Sequence, residues 1–185
     1  MNQKTAMKLF GLLGLLMLLS CGYADRHRNS SSCEQALVDS LEVRVQDSLF
    51  SNVHYSRSQL LEALTQTQDS LVYYRLLALY GKTFFVSSDF DSILYYNRRV
   101  KEFSRNASQS SESLQSPRWN DVLSDVYNIE GNVWMQLNRP DSAIIDYKKA
   151  YGYRLEGKKL HLLPDICINI ADAYLHRSDL AHTAS

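Results

Sequence analysis

Cysteine is scarce in this chain of 185 residues, with three copies at Cys21, Cys33 and Cys167, too few for a disulfide framework. Three prolines and seven glycines leave little material for tight turns. No sign of charge dominates: 20 acidic residues match 20 basic ones, which argues against a broad nucleic-acid or anionic-membrane surface. The apolar run from Leu9 to Leu19 falls short of the roughly twenty residues that a spanning helix needs. Chemistry-bearing motifs are missing as well. His27, His54, His161, His176 and His182 show no H-E-x-x-H spacing and no C-x-x-C partner. His176 and His182 are separated by a predicted turn, which argues against a shared site. There is no glycine-rich phosphate loop and no G-x-S-x-G elbow, and the carboxylates are scattered. Neither catalysis nor a metal or cofactor is expected.

What is present is apolar and aromatic. Apolar residues make up 45% of the chain and twelve are tyrosines, a composition for helices packed through rings. At the N-terminus, Lys4 and Lys8 precede the Leu9–Leu19 run, as in a secretory signal. Leu18-Leu19-Ser20-Cys21 then resembles a bacterial lipobox, which implies that residues 1–20 are removed and that Cys21 takes the lipid. Such a chain anchors through burial of its methylenes, at about 0.8 kcal/mol each. Residues 21–32 are polar and serine-rich, and read as a tether.

From residue 33 to 73 the pattern predicts a helical pair. Leu37, Leu41, Val45 and Leu49 form one stripe, and Ser58 stands as an N-cap before Leu60, Leu61 and Leu64. Asp-Ser pairs recur at Asp39, Asp47, Asp69, Asp91 and Asp141, and are expected as helix caps, foremost at Asp91 and Asp141.

The stretch from Ser124 to Gly157 reads as two amphipathic helices around an Asn138-Arg139-Pro140-Asp141 turn. Tyr127, Gly131 and Trp134 lie on the first helix, and Ala143, Tyr147 and Ala150 on the second. This spacing of large, small and aromatic residues resembles a tetratricopeptide repeat. The usual leucine is replaced by Glu130 and the late proline by Leu155. Residues 74–103 repeat the pattern, with Gly81 and Phe84 on the first helix, a Ser88-Asp89-Phe90 turn, and Ile93 and Val100 where alanine is usual. Asn97 stands where the aromatic is usual. Gly81 and Gly131 are 50 residues apart, against about 34 for a plain repeat. A serine-rich insertion over 104–119 accounts for the excess. Residues 164–185 resemble a last, truncated repeat, with Ala171 and Tyr174 as packing residues, a Ser178-Asp179-Leu180 turn, and a second helix beginning at Asp179 at the earliest.

The resemblance implies an all-α right-handed solenoid of antiparallel helix pairs, binding an unidentified protein or peptide along its first helices. The groove residues carried over are Arg75, Ala78, Lys82, Phe85 and Val86, then Asp125, Asn128, Asn132, Met135 and Gln136. The last repeat adds Asp165, Ile168, Asp172, Leu175 and His176. Cys33 and Cys167 stand open between a disulfide and two buried small side chains, the second favoured because Cys167 falls at a packing position. Together these features lead to the expectation of a lipid-anchored scaffold of a bacterial cell envelope, facing the periplasm or exterior, with no nucleic-acid or small-molecule partner. The alternative is the N-terminal sensory part of a membrane-bound signalling regulator, a sensor kinase or transcriptional regulator.

Overall fold

Helix boundaries in this chain follow from local side-chain chemistry. In the computed structural model, which describes residues 36–45, 51–107 and 116–183, these are all helices and turns, with no strand among them. The chain divides into two compact units, Met1–Ser40 and Leu41–Ser185. Of the first, residues 36–40 are described; they are helical, and Ser40 Oγ donates to the Leu37 carbonyl. Residues 36–45 are helical and are labelled α1. The expected signal, the tether, Cys21, Cys33, Asp47, Leu49 and residues 108–115 of the insertion lie outside the described residues.

Among the described residues six further α-helices follow: α2 (Val53–Gln66), α3 (Ser70–Lys82), α4 (Phe90–Ala107), α5 (Pro117–Gln136), α6 (Pro140–Leu155) and α7 (Leu163–Thr183). Asp69 caps α3 by accepting from the N–H groups of Leu71 and Val72. Pro117 and Pro140 open α5 and α6 at a position where a missing N–H costs nothing. Other expected caps are corrected. The N-cap of α2 is Asn52, not Ser58, which lies inside the helix and bonds back to the Tyr55 carbonyl. At α4 the capping carboxylate belongs to Asp89, which accepts from Ser92 N–H at 3.1 Å. Asp91 and Asp141 sit in first turns, where negative charge favours the helix dipole without capping it.

From α2 on, each helix packs on its sequence neighbours: α3 on α2 and α4, α5 on α4 and α6, and α7 on α6. The alternate helices also meet, α3 with α5 and α5 with α7. Two turns reverse the chain in the same way. Ser88 (φ 53°) and Asn138 (φ 57°) take the left-handed conformation. In each case the next N–H reaches back to an aromatic residue's carbonyl, Asp89 to Phe84 and Arg139 to Trp134. This is the Schellman closure of a helix C-terminus.

Packing of the pairs rests on glycine facing an aromatic ring. A Cβ on Gly131 would lie 2.3 Å from the Tyr147 ring, and one on Gly81 would lie 2.9 Å from Tyr96 Cβ. In the earlier pair the packing aromatic is therefore Tyr96, while Asn97 is buried and donates to the Val126 carbonyl of α5 at 3.2 Å. Ala143, Ala150, Ile93 and Val100 are all fully buried. The first pair differs from expectation in detail: Leu60 and Ala63 are buried but Leu61 is exposed, and on α1 Leu41 and Val45 are buried while Leu37 is exposed.

The C-terminal expectations need the largest correction. Ser178-Asp179-Leu180 is not a turn; α7 runs through it, with Ser178 Oγ donating to the Leu175 carbonyl at 2.7 Å. No glycine or proline interrupts this stretch, and its residues tolerate helix. Ile166 and Ala173 are the buried side chains of α7, Ala173 packing with Ala143, Ile144 and Tyr147. Ala171, Tyr174 and Cys167 are exposed, so none is the buried packing residue expected of it. On α5 the corresponding residues face α6; among the described residues no helix covers that side of α7. Trp119, assigned to the insertion, is instead a core residue of α5 and donates from Nε1 to Ser104 Oγ at 3.1 Å.

Candidate binding surface

The residues expected to line a groove fall on α3, α5 and α7, of which α5 touches the other two, and, for Phe85 and Val86, on the 3-10 turn Thr83–Ser87 that follows α3; the fold already uses many of them. Arg75 is buried and lies 3.9 Å from Glu42 of α1, whose other oxygen is bound by Lys159. Phe85 packs on Ile93, Ile129 and Val133, and Met135 on Ala143, Ile144, Tyr147 and Ala173. Asn128 accepts from Asn169 of α7 at 3.1 Å, and Asn132 accepts from the Tyr147 hydroxyl at 2.7 Å. Asp125 accepts from Arg154. His176 lies against Asn138 at 2.6 Å. Lys82 and Ala78 are half-buried. Asp165, Asp172, Val86 and Gln136 are exposed, as are Ile168 and Leu175 at 58% and 63%. The part of this surface open to a partner is thus mainly its α7 side.

A buried polar network, missed from sequence, holds the ends of α5 and α6 together. Arg154 is 1% exposed; it donates to Asp121 at 2.8 Å and also to Asp125. Asp121 further accepts from the backbone N–H groups of Lys158 and Lys159, at 3.0 and 3.1 Å. Gly157 allows this approach, since a Cβ there would stand 2.3 Å from the carboxylate. The one sequence signal was the four-residue step from Asp121 to Asp125, which puts both acids on one helix face. Their partner lies on another helix, beyond the reach of local spacing.

Glu130, the residue replacing the usual leucine, is buried and accepts from Lys101 Nζ at 2.6 Å. Burial raises its carboxyl above the ordinary range, with Lys101 opposing the shift. Burial also pushes the Tyr127 phenol up to about 12 and raises that of Tyr147 further. Among the described residues no group of His, Cys, Asp and Glu is placed to hold a metal ion, and no helix is long and apolar enough to cross a membrane. Compared with protein-family models, curated proteins and solved structures, the chain matches none.

Proposed function

We propose that the chain is a protein- or peptide-binding scaffold of tetratricopeptide type, held in a bacterial cell envelope by a lipid on Cys21, and that it catalyses no reaction. The observation that carries this reading is the side-by-side contact of α3, α5 and α7. An array of helix pairs gives such first helices a common face, on which a partner can lie. The equivalent Schellman turns and the glycine–aromatic contacts of the two helix pairs support it. The lipobox-like Leu18–Cys21 stretch supports the anchor.

The test is site-specific photo-cross-linking in native envelopes. A photoreactive side chain at Ile168 should give a discrete partner adduct, whereas one at Ile145, exposed on α6, should give none. Adducts from Ile145 alone would mean that another surface binds. Labelled fatty acid should enter the protein and disappear in Cys21→Ala; absence of label in the parent chain would remove the anchor.

A further inference from the structure

The side of α7 left uncovered among the described residues carries two features that its sequence sets next to each other. Ile168, Ala171 and Leu175 stand three and four residues apart, which lines them up along one side of the helix. All three are exposed. Along one edge of this apolar stripe runs a row of acids. Asp165, Asp172 and Asp179 follow one another at intervals of seven residues, close to two helical turns, so they share a side. All three carboxylates are exposed, and among the described residues no cation holds any of them. The row lies on the α5 side of the stripe. Asn169 and His176, which flank Asp172 on the helix surface, reach towards α5: Asn169 donates to Asn128, and His176 lies against Asn138 beyond its end.

These two features decide what can cover the face. Exposed isoleucine and leucine at heptad spacing, with alanine between them, offer two knobs and a gap to the ridge of another helix. An extended strand gains less, because the N–H and C=O groups of α7 are spent within the helix and present no edge to pair with. The acid row sets the sign of the partner. A helix lying along the stripe places its flanking side chains over Asp165, Asp172 and Asp179, where Lys or Arg is attracted and Asp or Glu repelled. Nucleic acid and anionic lipid are repelled by the same three charges. A second copy fits poorly, since two α7 helices packed antiparallel on this stripe set acid row against acid row. Nor does α7 carry a matching row of cations: Arg177 turns to Asp141 of α6, at 3.5 Å.

We propose that this face of α7 receives a basic amphipathic helix of a partner protein, with its apolar side on Ile168, Ala171 and Leu175 and its Lys or Arg residues on Asp165, Asp172 and Asp179. The inference rests on the reading of α3, α5 and α7 as the binding side of the chain, and names the chemistry of the partner there. Cross-linking at Ile168 decides whether the surface binds in the envelope, and peptide probes decide what it selects, so the two can fail separately.

Fluorescence anisotropy on the full chain tests it, with labelled peptides as long as α7. One has leucines at heptad spacing flanked by lysines, and a second has the same leucines flanked by glutamates. A third scrambles the first so that no apolar side forms. The lysine peptide should bind most tightly and weaken as salt is added. Asp165→Asn with Asp172→Asn and Asp179→Asn should weaken it about tenfold and strengthen the glutamate peptide, a gain that an unfolded variant would not show. Ile168→Ser with Leu175→Ser should abolish binding of the lysine peptide. Circular dichroism should be unchanged in both variants, because all five side chains are exposed. Ile145→Ser, on the exposed side of α6, should change nothing. Equal binding of the lysine and glutamate peptides, or unchanged affinity in the triple variant, would overturn the charge assignment. A scrambled peptide bound as tightly would overturn helix recognition in favour of general polycation binding, and an equal loss in Ile145→Ser would overturn the site. Sedimentation showing a dimer that Leu175→Ser dissolves would give the face to a second copy and overturn the partner.

Discussion

Arg154 Nη1 and Asp121 Oδ1 meet at 2.8 Å with both side chains buried, joining the last turn of α6 to the first turns of α5. The same carboxylate holds the backbone of Lys158 and Lys159, so this pair sets where the chain leaves α6 before α7. Removing Asp121 leaves the buried Arg154 with the partly exposed Asp125 alone and takes the acceptor from the Lys158 and Lys159 N–H groups. Asp121→Ala should therefore destabilise the fold by about 3–5 kcal/mol, the usual cost of breaking a buried pair. Urea unfolding followed by circular dichroism measures it; a loss no larger than that of an exposed-site control such as Asp179→Ala would refute the role.

Two helical glycines should respond in opposite directions to alanine. Gly131 meets the Tyr147 ring, so Gly131→Ala should cost about 1–3 kcal/mol through overpacking. Gly152 has open space around its Cβ position, and Gly152→Ala should gain about 0.5–1 kcal/mol from helix propensity alone. Denaturation midpoints of the two variants check the contrast.

Glu130 gives stability a pH dependence. Its carboxyl is raised by burial, so the folded state keeps a proton that the unfolded state has already released. Stability is then fullest below the ordinary value of 4.5 and falls as pH rises through the window above it. Glu130→Gln should flatten that fall, and Lys101, partly exposed, can turn to water. Urea midpoints of parent and variant across this range test the sign; an unchanged slope would show that Glu130 does not cause it.

Ser88 and Ser178 occupy the same place relative to Gly81 and Ala171 but adopt different backbones. Ser88 is left-handed, so Ser88→Gly should be neutral or stabilising. Ser178 is helical, so Ser178→Gly should cost about 0.5–1 kcal/mol. A thermal melt of each variant decides whether α7 continues as described.

These contrasts show where the sequence was legible. The turns at Ser88 and Asn138 and the close approach at Gly131 could be read because each depends on residues within one helix–turn–helix. The same spacing at Ala171 misled, because a turn pattern needs a second helix docked against the first to fix it. Asn97 was read as a lost aromatic, yet Tyr96 beside it supplies the ring, and the asparagine bonds across to α5. Asn128 and Asn132 were read as groove residues, but their hydrogen bonds depend on partners that spacing does not reveal. The Arg154 network escaped notice for a related reason: it assembles side chains that are unremarked on their own helix and acquire meaning only across helices.

The bond between Ser104 and Trp119 bears on how this chain can vary. Phe103 meets Trp119 edge-on at 5.7 Å and stacks on Tyr74 at 4.0 Å, so the two ends of the serine-rich stretch are fastened to one aromatic knot. Chain added between fastened ends adds only about 0.6 kcal/mol of closure entropy for each doubling of length. Ser104 and Trp119 can thus hold α4 and α5 in register whatever the length of chain between them. The long interval between Gly81 and Gly131 is then a tolerated variable, and the knot that tolerates it is the constant.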